Sequence, residues 1–261
     1  MRVCIRSVYL TAFLALGVDA QPRAEQQPAS RTPAPAPQRE VSAADALYAR
    51  REDPSAARQA ADLYMAHHKD APRDFVGAWK LARACYFLGT HGPAKERRQW
   101  LDTGVQAATH AVSLNATRPE GHFWLAATMG ALAESYGLRQ GLKYRSRIKQ
   151  ALERVIAIDP SFMEGSADRA LGRWYHKVPG LFGGSAAKSE QHLRASLRYN
   201  PQSIVTHVFL AELYEDEGRP AEARRLYQTV LELPVHPDFG AEDRAFKAHA
   251  RARLQALAGV R

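Results

Sequence analysis

Apolar residues recur along much of this chain at the spacing of one face of an α-helix. Over 148–156 they fall at i, i+3, i+4, i+7 and i+8, and the same spacing returns over 223–231. No segment alternates apolar and polar residues between turn residues, as a half-buried strand does. The pattern predicts an all-α chain, with helices at approximately 43–51, 55–68, 74–89, 94–113, 119–134, 141–158, 162–177, 186–199, 203–217, 220–232 and 241–258.

A leucine followed by a small residue recurs four times, at intervals of 44, 46 and 39 residues. The four pairs are Leu81-Ala82, Leu125-Ala126, Leu171-Gly172 and Leu210-Ala211. A second shape, an amphipathic helix that ends in proline, recurs at 151–160, 192–201 and 225–234. Repeats of this length are typical of stacked helix hairpins, because one hairpin cannot bury its apolar face alone. We therefore expect a tetratricopeptide-like α-α superhelix, a fold that binds partners more often than it catalyses reactions.

The first twenty residues have the features of a secretory signal. Arg2 and Arg6 form a basic start, an apolar stretch of eleven residues covers 8–18, and Val18 and Ala20 are small residues suited to cleavage. The alternative is an uncleaved membrane anchor, although a bilayer span needs about 20 apolar residues. The expected location is periplasmic or secreted, with no integral membrane segment after cleavage of the signal.

Beyond residue 20, the amino-acid composition divides the chain into a linker and a folded domain. Residues 21–41 are rich in Pro, Ala and Gln and lack large apolar side chains, so they predict a disordered linker. Residues 42–261 then form the helical-repeat domain. Once the signal is removed, Cys85 is the one remaining cysteine, which excludes an intrachain disulfide.

Charge and motifs argue against catalysis, metal binding and nucleic-acid binding. The chain has 36 basic and 27 acidic residues, and its arginines are spread over most helices instead of forming a block. The ten histidines show no metal-ligand spacing, and no Gly-x-Ser-x-Gly elbow or phosphate loop occurs. We expect neither an enzyme, a metal site, a cofactor nor a nucleic-acid partner.

Two repeats carry extra residues between their helices, at 136–144 and 177–185, and both insertions are rich in glycine. Insertions at equivalent positions of a solenoid project from one face, which is often the binding face. Leu181 and Phe182 either pack onto neighbouring helices or face a ligand. Similarly, Trp174 or Tyr175 either fills a groove between hairpins or lines a cleft. The candidate ligand- or partner-binding residues are Tyr136, Gly137, Gly141, Lys143, Tyr144, Arg173, Trp174, Tyr175, Leu181, Phe182, Gly183 and Gly184.

These insertions carry a family resemblance. Gly-Leu-Arg-Gln-Gly-Leu-Lys at 137–143, Leu-Gly-Arg-Trp-Tyr at 171–175 and Pro-Gly-Leu at 179–181 resemble the T component associated with tripartite ATP-independent periplasmic (TRAP) transporters. Eukaryotic regulators of microtubule dynamics share part of the pattern. The resemblance implies a periplasmic solute-binding protein as partner and an apolar cleft for a hydrophobic ligand. Unlike lipoprotein members, this chain has no cysteine at the predicted cleavage site.

Two functions follow as hypotheses. The first is an exported accessory protein that associates with a TRAP-type solute-binding partner and holds a small hydrophobic or carboxylate ligand, with Arg173 or Lys143 binding the carboxylate. The second is a general tetratricopeptide-type scaffold that recognises proteins or peptides on a polar concave surface. A homo-oligomer is compatible with either function.

Overall fold

The structure, a computed structural model, describes residues 36–259. Within that range every regular element is helical. The α-helices are α1 (Ala36–Ala49), α2 (Pro54–Asp70), α3 (Phe75–His91), α4 (Arg97–Leu114), α5 (Pro119–Tyr136), α6 (Leu138–Ile158), α7 (Phe162–Lys177), α8 (Ala186–Tyr199), α9 (Ile204–Asp216), α10 (Pro220–Glu232) and α11 (Gly240–Gly259). Two single 3-10 turns lie at Gly180–Phe182 and Pro237–Phe239.

Consecutive helices pair into hairpins that stack side by side. The pairs are α1/α2, α3/α4, α5/α6, α7/α8 and α9/α10, and α11 packs on α9 and α10. Each second helix also packs against the first helix of the next pair. This arrangement confirms the predicted all-α, tetratricopeptide-like superhelix.

Side-chain caps set several helix starts. Asp53, Asp74, Ser185 and Ser203 each accept a hydrogen bond from a backbone N–H in the first turn of the helix that follows. These bonds satisfy N–H groups that have no partner within the helix. The short polar residues before α2, α3, α8 and α9 therefore fix where these four helices begin.

Small residues let the paired helices approach closely. A Cβ atom added to Gly172 in α7 would lie 2.7 Å from Cγ of Leu193 in α8. One added to Gly104 in α4 would lie 2.8 Å from Cγ2 of Thr128 in α5. Gly172, the small residue of the third repeated signature, is thus a contact between helices, since a larger side chain would push them apart.

Two segments differ from the sequence prediction. Helix α1 begins at Ala36 instead of 43, so the end of the predicted linker is helical; the predicted signal and the start of that linker lie outside the described residues. The insertion at 136–144 is helical as well, because α6 starts at Leu138 directly after α5. Gly137, at φ 78°, makes the whole turn between them.

Helix α7 starts with a left-handed turn. Met163, Glu164 and Gly165 have φ values of 44°, 58° and 72°. A Cβ atom on Gly165 would lie 2.7 Å from Tyr199, which explains glycine at that position. Among the described residues, no helix is both long and apolar enough to cross a bilayer.

Candidate functional site

The two predicted insertions lie on one edge of the superhelix, where each first helix turns into its second. Arg98, at the start of α4, places Cζ 4.7 Å from the ring centre of Tyr136, at the end of α5. Arg145 of α6 places Cζ 5.7 Å from the ring of Phe182 in the next hairpin. We call this edge, with its residues 136–149 and 178–188, the rim.

Trp174 and Tyr175 are buried between hairpins. The indole N–H of Trp174 donates to the backbone carbonyl of Arg145 over 3.0 Å. The ring of Tyr175 stacks on His192, with centroids 5.4 Å apart. Both rings therefore occupy the groove between α6, α7 and α8, which is the packing alternative that the sequence left open.

Tyr144 and Gly141 lie inside a helix instead of a loop. Tyr144 is buried, and the ammonium of its neighbour Lys143 lies 5.0 Å from its ring centre. The helical backbone means that the first insertion adds two turns to the start of α6 and forms no separate binding loop. Lys143 itself is exposed on the rim.

The second insertion keeps an apolar tip in solvent. Leu181 is 90% exposed and Phe182 is 36% exposed. Gly183, at φ 104°, and Gly184 shape the turn, and a Cβ on Gly184 would overlap the carbonyl oxygen of Val178. Leu181 therefore points outward and does not pack onto the neighbouring helices.

A shallow pocket lies beside this tip. It has a volume of about 250 Å³ and is lined by the end of α7, the 178–186 segment and Leu213 and Glu217 of α9. Tyr175 and Gly184 contribute to its wall. It is open to solvent and mixed in polarity, so it is not the enclosed apolar cleft that the sequence resemblance implied.

Arg173 faces away from the rim. Its Nε lies 3.4 Å from Oε1 of Glu134, its Nη1 pairs with Glu212, and its Cζ stacks 4.5 Å from the ring of Phe209. Two carboxylates already pair with Arg173, and it does not share a surface with Lys143. The twelve predicted residues consequently divide among the rim, the core and the inner face, and they do not form one cleft.

The inner face, formed by the first helices of the hairpins and α11, carries most polar contacts between hairpins. Three of its residues directly follow the repeated signature: Arg83, Arg173 and Glu212. Lys80 pairs with Asp45 of α1 over 2.5 Å. A charged residue follows the small residue in three of the four repeats, and Ala127 follows it in the other; this recurrence is the signal that could have identified the inner face from sequence.

Helix α3 presents Trp79, Arg83 and Tyr86 at i, i+4 and i+7, the spacing of one helix face. Arg83 places Cζ 4.0 Å from the ring of Tyr48 and 5.2 Å from that of Trp79. Nε1 of Trp79 and Nε of Arg83 are buried and have no acceptor among the described residues. Unsatisfied N–H donors are uncommon in native proteins and favour an occupant that brings oxygen acceptors.

Tyr86 and Arg169 also lie on the inner face, and both stay partly accessible. Burial raises the pKa of Tyr86 to about 12, and the negative charges of Glu134 and Glu242 add to the effect. Burial lowers the pKa of the Arg169 guanidinium, against the opposing influence of Tyr86, Glu164 and Asp243. Arg169 forms no ion pair within 4.0 Å in the part of the chain that the structure describes.

The two ends of the superhelix meet across the inner face. Nη2 of Arg51, just after α1, lies 3.6 Å from Oε2 of Glu242 in α11, and Arg244 pairs with Glu52. Further pairs join α11 to α9, with His249 Nε2 3.0 Å from Glu212 Oε1. The inner face is therefore a closed polar and aromatic surface.

Reactive groups are few in the described part of the chain. Cys85 is buried, and burial raises the pKa of its thiol to about 12, which keeps it protonated. No group of three or more His, Cys, Asp or Glu residues suited to a metal ion occurs within 36–259. The inner face offers hydrogen-bond donors, aromatic rings and cationic side chains, which are groups suited to binding a ligand.

Stacked helix hairpins with a closed inner face define the chain as a tetratricopeptide-like helical-repeat protein. A family model described as "Regulator of microtubule dynamics protein 1-3" matches residues 41–181, more than half of the chain. The chain belongs to this family. The match ends at the rim tip, so α8–α11 lie beyond it.

Curated relatives carry the same description. "Regulator of microtubule dynamics protein 3" of Bos taurus is 27% identical over 192 residues, which are 67% of this chain and 39% of the relative. The protein of that name from Xenopus laevis is 24% identical over 178 residues, 60% of this chain and 37% of the relative. The chain thus spans about two fifths of the length of the curated relatives it matches.

Solved structures share the fold at low identity. A thermophilic tetratricopeptide protein of Thermus thermophilus superposes with a TM-score of 0.62 at 21% identity, covering 84% of this chain and all of that one. Pseudomonas aeruginosa pilF superposes with a TM-score of 0.52 at 17% identity, covering 85% and 93%. At these identities the likeness concerns the fold alone.

These matches correct the predicted location. The named relatives are animal proteins called regulators of microtubule dynamics, and animal cells have neither a periplasm nor extracellular microtubules. The prediction of a periplasmic or secreted protein is therefore wrong. The finer resemblance to a TRAP T component gains no support, whereas the shared pattern with the microtubule regulators corresponds to the family match.

Proposed function

We propose that this chain is a non-enzymatic scaffold that binds an extended peptide segment, rich in carbonyl and carboxylate oxygens, on its inner face. The observation that carries the proposal is that Nε1 of Trp79 and Nε of Arg83 have no acceptor, and that Arg169 has no ion-pair partner within 4.0 Å, among the described residues. A peptide backbone offers a carbonyl at every residue, and an acidic side chain would pair with Arg169. Neighbouring aromatic rings supply the apolar contacts.

The ion pairs already present on the inner face restrict which ligands can bind there. Lys80, Arg173 and Glu212 are already paired, so a ligand gains nothing by competing for them. Arg169 remains as the cation to which an acidic group adds a new charge-assisted hydrogen bond. A basic segment would leave the same donors unsatisfied and would meet the positive charge of Arg169.

The test is fluorescence anisotropy with a fluorescein-labelled poly-glutamate peptide and a poly-lysine peptide of equal length. We expect saturable binding of the acidic peptide, weakened about tenfold by Arg169→Gln because a hydrogen bond to a charged group contributes about 1.5–3 kcal/mol. Arg139→Gln on the rim is the matched control and should leave the affinity unchanged. Equal loss in both variants, or no binding of the acidic peptide, contradicts the proposal.

A small hydrophobic carboxylate is the second candidate occupant. Two ion pairs, Arg51–Glu242 and Arg244–Glu52, join the ends of the inner face, and this enclosure favours a small ligand. The rings of Tyr86 and Phe209 on the same face would contact its hydrophobic part. Native mass spectrometry of the purified full chain distinguishes the two, since a co-purifying organic acid adds a defined mass. A peptide scaffold would be isolated without that added mass.

The name of the relatives suggests a first macromolecule to test. If their described role extends to this chain, its partner is a component of microtubules, and the full chain should co-sediment with assembled microtubules in a salt-sensitive manner. Arg169→Gln should weaken co-sedimentation, and Arg139→Gln should not. The predicted solute-binding partner presupposes a periplasm and is not part of this proposal.

A further inference from the structure

The rim carries a strongly basic stretch at the start of a helix. From residue 139 to residue 149 the sequence of α6 contains five basic residues and no acidic one: Arg139, Lys143, Arg145, Arg147 and Lys149. The first turn of α6 holds no acidic residue either. Arg139 lies in this first turn, where a cation is unfavourable because of the positive end of the helix dipole. Because a residue that reduces the local stability of a helix is expected at functional sites, this position indicates a role in binding.

Most of this charge has no partner carboxylate. Arg139, Lys143 and Arg147 are exposed, and they form no ion pair with the carboxylates of the described residues. Lys149, in contrast, lies 3.6 Å from Glu153, and Lys143 contacts the ring of Tyr144. The positive potential of the rim is therefore directed at solvent.

The apolar tip lies directly beside these cations. Arg145 places its guanidinium over the ring of Phe182, and Lys188, just after the tip, lies 5.5 Å from the ring of Tyr175. Leu181 is the most exposed large apolar side chain described for this chain. Exposing a leucine to water is unfavourable relative to burying it, so the tip favours an apolar environment.

We propose that the rim docks on an anionic phospholipid surface, with Leu181 and Phe182 inserted among the lipids and the α6 cations over their headgroups. A protein partner normally buries about 800 Å² on each side in a shaped interface. Here an exposed apolar tip lies beside cations that are separated from one another along the rim. A lipid surface needs only such a tip and diffuse positive charge.

Docking by the rim goes beyond the proposed function and involves no inner-face residue. An experiment can therefore contradict membrane docking without contradicting peptide binding, and the reverse. The test is flotation of the full chain with vesicles of phosphatidylcholine alone, or of phosphatidylcholine with about one third phosphatidylserine. We expect binding to the anionic vesicles that falls with added salt. Because every variant retains residues 1–40, differences between variants report on the rim.

The rim triple variant is Arg139→Gln with Lys143→Gln and Arg147→Gln. Since each cation near an anionic surface contributes about fivefold, we expect vesicle affinity to fall about a hundredfold. The matched control, Lys69→Gln with Arg154→Gln and Arg198→Gln, removes three exposed cations from the ends of α2, α6 and α8 at the opposite edge. It should retain most of the binding.

The tip is tested separately. Leu181→Ser should weaken binding to anionic vesicles about tenfold, whereas Met65→Ser, at an exposed position on α2, should not. Circular dichroism melts check that all variants fold. Equal binding to neutral and anionic vesicles, equal losses in the two triple variants, or no effect of Leu181→Ser overturns the proposal. Binding to an acidic protein but not to vesicles would also overturn it.

Discussion

Arg51 and Glu242 approach within 3.6 Å although they come from opposite ends of the described chain. Their side chains are only 12% and 25% exposed, so solvent screens the pair less than it screens a surface pair. With the neighbouring Arg244–Glu52 pair, this contact closes the inner face. An open stack of hairpins has no such connection between its ends.

Glu242→Gln should loosen this closure without unfolding the repeats. We expect a loss of about 1 kcal/mol, because partly exposed ion pairs contribute little and α11 keeps its apolar contacts. Hydrogen exchange should increase in α11 and at the end of α1, and remain unchanged in α5 and α6. Glu153→Gln removes an exposed i,i+4 pair and serves as the control. Uniformly faster exchange would contradict a local closure.

Two glycine substitutions should change stability in opposite directions. Gly172→Ala forces a Cβ against Leu193 and close to the carbonyl oxygen of Ser189, so we expect a loss of about 1–3 kcal/mol. Gly130, in α5, has no atom within 4 Å of an added Cβ, and Gly130→Ala should stabilise by about 0.5–1 kcal/mol. Urea denaturation measures both. A Gly172→Ala variant as stable as the wild type would show that helix spacing does not depend on Gly172.

The hydrogen bond of Trp174 can be separated from its packing. Trp174→Phe keeps a ring but leaves the carbonyl of Arg145 without its donor, whereas Trp124→Phe removes an N–H that has no acceptor among the described residues. Both rings are buried to a similar extent. We expect Trp174→Phe to destabilise by about 1–2 kcal/mol more, measured by chemical denaturation. Equal effects would mean that packing alone holds Trp174.

His68 should make stability depend on pH near neutrality. Burial lowers its pKa below 6.5, and the charges of His110, whose Nδ1 lies 3.2 Å from His68 Nε2, and His67 add to the effect. As pH falls through about 6.5, the unfolded chain takes up a proton before the folded chain does, so the free energy of unfolding decreases. His176, whose pKa burial also lowers, acts in the same direction.

The measurement is urea unfolding at about pH 7.5 and about pH 5.5, above the range where carboxylates such as Glu190 and Glu215 titrate. We expect the wild-type chain to be less stable at the lower pH, and His68→Gln to reduce that difference. An unchanged difference in the variant would exclude His68 as its source. Greater stability at the lower pH would contradict the sign of the shift.

Local patterns in the amino-acid sequence were sufficient to predict the fold class and nearly all the helices. Helical periodicity, recurring leucine and small-residue pairs and proline stops are local features, and they placed α7, α8 and α10 at their observed bounds. The start of α6 differed because two glycines suggested a loop, while the neighbouring helices stabilise a helix there. Gly137 alone supplies the left-handed backbone that the turn requires.

Which of the predicted residues share a surface depends on how the helices pack in three dimensions. Arg173, Trp174 and Tyr175 are consecutive, yet Arg173 faces the inner face while the two rings enter the core, because successive side chains on a helix point about 100° apart. The inner face itself joins residues from α1, α3, α7 and α11, whose proximity depends on how the hairpins stack and how the ends close. Those relations arise from long-range packing, which local sequence patterns do not encode.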